Sequence, residues 1–346
     1  MLKIYPNTKI YVPCPAGVVT GGAELLHQLV SYLREHGRDA FIVYFGNAKH
    51  EVPEDYKCYT IEHVDSIENK EHNIEVVYEG IFNIAYERDK TQKILWWLSV
   101  DHFYIYCKSF LSPIDYIGYN KKYGVKMLIK MLLHLCMGKN DFKNRLSISK
   151  LASLNAVNAY QSEYAQDFLQ KHCFPNVIPL KDYINTDHCK VFDKSAKEDI
   201  LLYNPKKGFE FTQRLIDAAP DLNWVPLQGM SREQLIDVLK KAKVYVDFGY
   251  HPGKDRLPRE CAMNGCCVIT GKRGSAAFFE DVSVVERYKF DERKAKITDI
   301  ISTIRWTLKN YDTAIDDFQY YRASIAYEKE EFEAQIRKIF LIENLL

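Results

Sequence analysis

The chain has 346 residues, of which 47% are hydrophobic and 27% charged, so it is long enough to form two hydrophobic cores of ordinary size. Its formal net charge of +1 gives no overall attraction to anionic lipid, and its basic residues form no stripe interleaved with aromatic residues, so we expect no nucleic-acid partner. Nine cysteines form no CxxC pair and no metal-like spacing, which indicates the reduced thiols of a cytoplasmic protein.

Strands and helices are predicted to alternate in the first half of the chain. Residues 9–12 are typical of a short apolar strand, Gly21 and Gly22 interrupt the pattern, and apolar residues then recur at helical spacing over 23–33. Because the strands are continuous apolar runs, this alternation predicts a mostly parallel sheet covered on both faces. Further strands are predicted at 41–45, 75–78, 93–98, 155–160 and 176–179, with a helix at 163–172.

The same alternation returns after a polar connection that begins near residue 182. Ser231 and Gln234 form a capping-box pattern at the start of one helix. We therefore predict an α/β fold with two doubly wound Rossmann-like domains that face a cleft. The predicted domains are 1–183 and 184–325, followed by a C-terminal helix at 326–346 that crosses back to the first domain. Strands of the second domain are predicted at 199–203, 223–227, 244–248 and 267–270, and helices at 209–219, 231–241 and 259–264.

Four loops at the carboxyl ends of predicted strands carry the candidate residues, because ligands of open parallel sheets bind at those ends. In the first loop, Gly21 and Gly22 open a helix, where an anion can approach backbone N–H groups and the helix dipole favours negative charge. The loop contains neither GxGxxG nor GK[ST], which argues against nicotinamide cofactors and ATP hydrolysis. The alternative is a tight strand-to-helix turn.

The second loop follows the strand at 93–98 and contains Asp101 and His102. Because both side chains lie just past a strand end, either can receive a substrate hydroxyl or position a leaving group. We select both as candidate catalytic residues. The alternative role for Asp101 is to cap the turn that follows the strand.

The third loop places Lys206 and Lys207 between Asn204 and the N-terminus of a helix. Lysines are normally favoured at the opposite end of a helix, and at this end their ammonium groups and the helix N–H donors together form a phosphate site. Two solvated loop lysines are the alternative. We select all three residues as anion-binding candidates, and Lys207 also as a candidate catalytic residue.

The fourth loop surrounds the helix in ECAMNGCC with Lys254, Asp255, Arg256 and Glu260. A carboxylate can accept two hydrogen bonds from the hydroxyl groups of a sugar, and Lys and Arg pair with phosphate oxygens. The alternative is a surface ion-pair network. Because such pairs contribute only about 0 to 1 kcal/mol, we favour ligand binding for so dense a cluster.

Together the four loops resemble those of glycosyltransferases of the GT-B fold, in particular the retaining family 4 group and allied bacterial surface-polysaccharide enzymes. The resemblance spans most of the chain and includes Glu260 before the run CAMNGCCVI. It implies that the first and third loops meet the diphosphate of a nucleotide sugar and that Glu260 holds the ribose. It also implies that the first domain lies on the acceptor side, where relatives place a histidine near the position of His102.

Two positions depart from the family pattern. The family usually has another glutamate eight residues before the one that matches Glu260, but Pro252 stands there and Asp255 is the nearest acid. Asn204 stands where an arginine is usual. The missing glutamate leaves a catalytically inactive nucleotide-sugar-binding or scaffold protein as the alternative to an enzyme.

The resemblance implies retaining sugar transfer from a nucleotide sugar to a glycan or a lipid-linked glycan, in surface polysaccharide biosynthesis. The leaving diphosphate is then stabilised by lysines, arginine and helix N-termini, so no divalent metal and no cofactor are expected. The sequence agrees with this expectation, since it has no DxD-type carboxylate pair and no histidine cluster placed to hold a metal.

The segment 121–145 combines a basic amphipathic helix with further basic residues after it. Such a helix can lie on an anionic membrane, where a lipid-linked acceptor is presented. The alternative is a helix that covers a sheet while its lysines face water. With no signal-peptide pattern and no apolar run of the roughly 18 residues that span a bilayer, we expect a cytoplasmic protein that can contact the inner face of the plasma membrane. The basic residues are Lys121, Lys122, Lys126, Lys130, Lys139, Lys143 and Arg145.

Overall fold

The computed structural model of the protein describes residues 2–83, 88–109, 111–138, 145–185 and 192–342. Lys139 and Lys143 of the predicted basic segment lie outside the described residues. The chain divides into two compact units. Unit 1 consists of Met1–Gln161, Ala165–Lys181 and Glu333–Leu346, and unit 2 consists of Ser162–Tyr164 and Asp182–Phe332.

Unit 1 contains six parallel strands in the order β2-β1-β3-β4-β5-β6. Apolar residues fill both faces of the central strands, as expected for a parallel sheet covered by helices. In β4, every residue after Gln92 is buried, including Trp96 and Trp97. The strands are β1 (Lys9–Pro15), β2 (Asp39–Phe45), β3 (Ile74–Tyr78), β4 (Gln92–Trp97), β5 (Ala156–Tyr160) and β6 (Val177–Pro179).

The longest buried helix of unit 1, α1, begins after Thr20, whose hydroxyl accepts a hydrogen bond from Ala23 N–H. Leu29 and Leu33 on its apolar face are completely buried, and the helix is followed by Gly37 at φ +75°. The helices are α1 (Gly21–Glu35), α2 (Val100–Tyr106), α3 (Pro113–Tyr119), α4 (Lys121–Cys136), α5 (Ile148–Ala152) and α6 (Glu163–Lys171). The first two residues of α6 belong to unit 2.

Unit 2 contains five parallel strands in the order β11-β10-β9-β7-β8. The strands are β7 (Glu198–Tyr203), β8 (Asn223–Pro226), β9 (Ala242–Asp247), β10 (Cys267–Gly271) and β11 (Lys289–Phe290). The helices are α7 (Phe209–Ala218), α8 (Arg232–Lys241), α9 (Arg256–Met263), α10 (Ile297–Lys309), α11 (Tyr311–Ala314) and α12 (Gln319–Ile339), which continues into unit 1 from Glu333.

The predicted α/β class is confirmed, since each unit has a parallel sheet with helices after its strands. The capping box also forms, with Gln234 N–H bonded to Ser231 and the Gln234 side chain bonded back to Ser231 N–H. Helix α9 begins three residues before the predicted start at Arg259. The predicted helix was started after Pro258, because proline interrupts a helix interior. Proline is nevertheless tolerated in the first turn, where its missing N–H would have no partner in the helix, and Pro258 lies in the first turn of α9.

None of the helices in the described ranges is both long enough and apolar enough to cross a lipid bilayer.

Candidate functional site

A cavity of about 550 Å³ lies at the carboxyl ends of the strands of unit 2. Its volume is in the range of sites for small molecules. Five of its ten lining residues are basic and two are acidic, which makes it suited to an anionic ligand. The cavity is lined by Lys206, Lys207, Gly208, Glu210, Phe211, Arg214, Tyr250, Arg273, Glu292 and Arg293.

The loop between β7 and α7 forms one wall of this cavity. Asn204 Oδ1 accepts a hydrogen bond from the N–H of Lys206 at 3.0 Å, which fixes the turn. Gly208 has φ +63°, and a methyl group added there would lie 2.3 Å from the carbonyl oxygen of Phe248. The loop therefore packs tightly on the β9–α9 loop. No side chain caps α7, so its first N–H groups and the two lysines offer positive charge to an anion.

Lys207 is the first member of a chain of charged side chains that runs from the cavity into unit 2. Its Nζ lies 2.7 Å from Asp255 Oδ2, and the same oxygen lies 3.4 Å from His251 Nδ1. His251 Nε2 lies 3.5 Å from Asp247 Oδ1. His251 is completely buried and Asp247 almost completely, so these charges are shielded from water.

Burial and charge oppose each other in this chain. Burial alone raises the pKa of Asp247, but the nearby charge of His251 and the hydrogen bonds that Asp247 accepts from Tyr245 OH and Gly249 N–H lower that pKa to about 2. Burial lowers the pKa of His251, but attraction to Asp247 and Asp255 outweighs it and leaves the pKa above its ordinary value. When His251 is protonated, the chain is therefore an alternation of two anions and two cations.

Asp247, His251 and Asp255 are also the one set of three side chains in the described part of the chain with ligand atoms close enough to hold a metal ion, within 4.8 Å of one another. The two oxygens of Asp247 already accept hydrogen bonds from Tyr245 OH at 2.7 Å and Gly249 N–H at 2.8 Å. Asp255 is paired with an ammonium group. We therefore interpret the set as an ion-pair chain and not as a cation site.

Glu260 and Arg256 form a separate cluster on α9. Arg232 Nη1 donates to both oxygens of Glu260 at 3.2 Å, and Arg256 Nη2 lies 3.8 Å from the same carboxylate. Glu260 is only 6% exposed and does not line the cavity that contains Lys207. The structure thus brings Lys206, Lys207 and Asp255 together and places Glu260 with an arginine that the sequence analysis did not select.

Lys254 belongs to a buried ion-pair network. Its Nζ lies 2.7 Å from Glu328 Oε1, and Glu328 Oε2 lies 2.7 Å from Arg259 Nη1. Arg259 also pairs with Asp182 at 2.6 Å, and all four side chains are less than 10% exposed. The Lys254 ammonium group therefore anchors the start of α9 to α12 and does not line the cavity.

In unit 1, the two predicted loops lie next to each other. A methyl group added at Gly22 would lie 3.9 Å from Cδ1 of Leu98, which is the last residue before the second loop. In that loop Ser99 caps α2, because its hydroxyl accepts a hydrogen bond from His102 N–H at 3.2 Å. Asp101 is buried, while His102 is half-buried and is the more accessible of the two. Gly21 is the first residue of α1.

Several cavity or site residues were missed by the sequence analysis. Arg273 follows β10 and donates to the carbonyl oxygen of Phe248 at 2.6 Å, and its Nε lies 3.0 Å from Glu292. The signal that could have found Arg273 is the one that found Lys206, namely a basic residue directly after a strand end. Arg232 and His251 had no comparable signal.

Solved structures show which fold the chain has. It is similar to a glycosyltransferase from Rickettsia africae (12% identity, 98% of both chains, TM-score 0.60). It is also similar to sucrose-phosphate synthase from Thermosynechococcus elongatus (11%, 97% of this chain and 98% of that one, TM-score 0.62) and to Anabaena HepE in complex with UDP-glucose (9%, 97% and 98%, TM-score 0.55). No protein-family model and no curated protein sequence matches. The chain therefore has the GT-B fold of these structures, as predicted.

Proposed function

We propose that this protein is a glycosyltransferase that moves a sugar from a nucleotide sugar to a glycan or lipid-linked glycan acceptor. The observation that carries this proposal is the basic cavity at the strand ends of unit 2, in a chain with the GT-B fold. HepE, which shares the fold, is in complex with UDP-glucose. In this chain Lys206, Lys207 and the N-terminus of α7 are suited to a diphosphate.

The proposed reaction uses these cations to stabilise the charge that grows on the departing diphosphate. The sugar C1–O bond to the phosphate breaks, the acceptor oxygen bonds to C1, and the proton of the acceptor hydroxyl passes to the departing diphosphate. We propose that configuration is retained and that no divalent cation is needed, since lysine ammonium groups and helix N–H donors supply positive charge. Asp101 and His102 in unit 1 are the proposed residues for the acceptor hydroxyl, and Glu260 for the ribose.

Calorimetric titration with UDP-, GDP-, ADP- and CMP-sugars tests the donor site directly. We expect one of them to bind, and we expect Lys207→Ala and Glu260→Gln each to weaken that binding at least about tenfold while the midpoint of thermal unfolding changes little. Lys240→Ala, on an exposed turn of α8, is the matched control. Wild-type affinity in both variants would remove these residues from the site.

A turnover assay with the donor so identified tests the enzyme and its metal requirement. Transfer or donor hydrolysis that EDTA leaves unchanged is expected. Loss of turnover in EDTA, restored by Mg²⁺ or Mn²⁺, would contradict metal independence. Binding without turnover on a broad acceptor panel would favour the second candidate, a nucleotide-sugar-binding protein without activity. One observation supports that candidate, since Asp255, the acid nearest the missing glutamate, is occupied by Lys207.

We also propose that α4 contacts an anionic membrane on the cytoplasmic side and that the acceptor belongs to surface polysaccharide biosynthesis. In the described part of the chain the apolar face of α4 does not pack on the sheet, because Ile129, Leu132 and Leu133 are 53%, 52% and 58% exposed. The helix carries four lysines and no acid. Both properties suit a helix that lies in the interface of an anionic bilayer.

Vesicle sedimentation tests the membrane contact. We expect binding to vesicles with phosphatidylglycerol that weakens at high salt, and loss of binding in a variant with Leu132→Ser and Leu133→Ser. A variant with Ile114→Ser, a still more exposed apolar residue on the neighbouring helix α3, is the control that separates the contribution of α4 from that of its surroundings. Absence of vesicle binding at low salt would end this part of the proposal.

A further inference from the structure

We propose that His251 is a positioning residue for the diphosphate site. His251 holds Asp255, and Asp255 in turn fixes the ammonium group of Lys207 at the cavity. The inference rests on the proposed function, because a diphosphate is the ligand that Lys207 is fixed to receive.

The geometry leaves the imidazole of His251 enclosed by charge. The ring is completely buried, with one nitrogen 3.5 Å from Asp247 and the other 3.4 Å from Asp255. Neither ring nitrogen has a hydrogen-bond partner among the described residues. Contact with the two carboxylates is therefore the main interaction of the ring, and when the ring is protonated their attraction draws Asp255 to one position. Asp255 in turn contacts Lys207, whose side chain is 37% exposed.

The backbone around His251 prevents the ring from moving away. The carbonyl oxygen of His251 accepts a hydrogen bond from Ser275 N–H at 2.9 Å. A methyl group at Gly274 would lie 1.9 Å from that same oxygen, so the two segments touch directly. Asp247 is fixed by Tyr245 and by a backbone N–H. The imidazole thus has rigid walls on one side, and Asp255 is the partner it can order.

The charge of His251 decides the net charge beneath the cavity. With a protonated imidazole, Asp247 and Asp255 are matched by His251 and Lys207, and the set is neutral. With a neutral imidazole the set carries one excess negative charge, which repels an incoming diphosphate. Glu292 also faces this region, but its carboxylate is paired with Arg273. Protonation of His251 should therefore favour binding of a diphosphate ligand.

This role also gives Asp255 a function other than contact with the transferred sugar. The sequence offered Asp255 as a replacement for the glutamate that is missing from the family pattern. Asp255 Oδ2 contacts both the ammonium group of Lys207 and the ring of His251, so this oxygen is engaged by the protein's own side chains. We assign it to the support of Lys207 instead.

The first test is the affinity for a nucleotide sugar as a function of pH, measured by calorimetry between pH 5.5 and about 8.5. The sugar-linked diphosphate does not titrate in this range, so the ligand adds no pH dependence of its own. We expect wild-type affinity to fall about tenfold as pH rises, because a linked pKa shift of one unit changes a binding constant tenfold. His251→Gln should bind about tenfold more weakly at pH 5.5 and show no such fall, whereas the control His36→Gln in unit 1 should keep the wild-type profile. Identical profiles for wild type and His251→Gln would overturn the proposal.

The second test needs no ligand, so it separates this proposal from the proposed function. Histidine-selective NMR of the free protein identifies the His251 signal by its loss in His251→Gln. Its pKa should lie above 6.5 and should fall in Asp255→Asn, while unfolding temperature stays close to wild type. A pKa below 6.5 or one that ignores Asp255→Asn would overturn the proposal even if nucleotide sugars bind. Zn²⁺ or Mn²⁺ that shifts or broadens the His251 signal, reversed by EDTA, would assign the three side chains to a cation and also overturn it. The expected titration without binding of any nucleotide sugar would instead contradict the proposed function.

Discussion

The buried carboxyl group of Glu79 should make the stability of unit 1 depend on pH. Glu79 follows β3 and is completely enclosed, with Oε2 accepting a hydrogen bond from Leu98 N–H at 3.0 Å. Burial raises its pKa from 4.5 to about 8, although hydrogen bonds from backbone N–H groups act in the opposite direction. The folded protein therefore holds this group protonated at neutral pH.

The sign and the magnitude follow from linkage. A pKa that is higher in the folded protein than in the unfolded chain contributes stability below pH 4.5, and this contribution is lost as pH rises through about 8. The full pKa difference corresponds to about 5 kcal/mol. Between these limits the free energy of unfolding should fall by about 1.4 kcal/mol for each pH unit because of this one group.

Glu79→Gln removes the ionisation and keeps an oxygen for Leu98 N–H. We expect the variant and the wild type to have similar stability at pH 5 and the variant to become more stable as pH rises, by several kcal/mol at about pH 9. Urea unfolding, with hydrogen exchange to follow the peptides of β3 and β4, measures this difference. Glu75→Gln is the control, because Glu75 is equally buried on β3 but paired with Arg88 and Lys93, so its variant should be less stable at every pH. A stability difference for Glu79→Gln that does not grow with pH would refute the reasoning.

Two further predictions concern the elements that hold the site. Gly208→Ala should destabilise unit 2 by clearly more than the roughly 1 kcal/mol that a left-handed alanine costs, because its methyl group would lie 2.3 Å from a backbone oxygen. The control is Gly229→Ala, where φ is +66° and the methyl group would meet nothing within 4 Å. Equal shifts in unfolding temperature for the two variants would contradict this prediction. Glu328→Gln should cost about 3–5 kcal/mol, because it leaves the buried charges of Lys254 and Arg259 with one carboxylate fewer. Asp221→Asn, in an exposed pair, should cost under about 1 kcal/mol in the same urea titration, and a similar cost for both would refute the network.

The strands and the lysine loop were predictable because each depends on local sequence. A buried parallel strand is a continuous apolar run, and its carboxyl end is fixed once the run ends. Lys206 and Lys207 lie within four residues of such an end and precede a helix, so their place at the edge of the sheet follows from chain order alone. Arg273 also lies shortly after a strand end, that of β10, although the sequence analysis did not select it.

The side-chain partners of Lys254, Asp255 and Glu260 were not predictable, because those partners are distant in sequence. Lys254 pairs with a carboxylate 74 residues later, and Asp255 pairs with a lysine 48 residues earlier. Glu260 pairs with Arg232, 28 residues before it. Charge density in a sequence therefore indicates ionic interactions, but the pattern does not separate a ligand site from a network that is closed within the protein.

The amphipathic segment illustrates a different limit. The spacing of apolar residues predicted a helix, and α4 forms over Lys121–Cys136. The same spacing fits a helix that covers a sheet and one that lies on a membrane. The sequence alone does not distinguish them, whereas the described structure shows that Ile129, Leu132 and Leu133 are exposed and do not pack on the sheet.

The pairing of charges around the cavity indicates where an anion first meets the protein. Lys207 is paired with Asp255, Arg273 with Glu292, and Arg293 with Asp291. Among the ion pairs between described residues, none involves Lys206 or Arg214, and Arg214 lies over the ring of Phe211 at 5.1 Å. The two positive charges of these side chains match the about two negative charges of a sugar-linked diphosphate, so an incoming donor can be neutralised without breaking an existing ion pair. Lys207, which Asp255 holds at the same cavity, adds a further positive charge; in the proposed reaction it contributes to diphosphate binding and also faces the charge that grows on the leaving group.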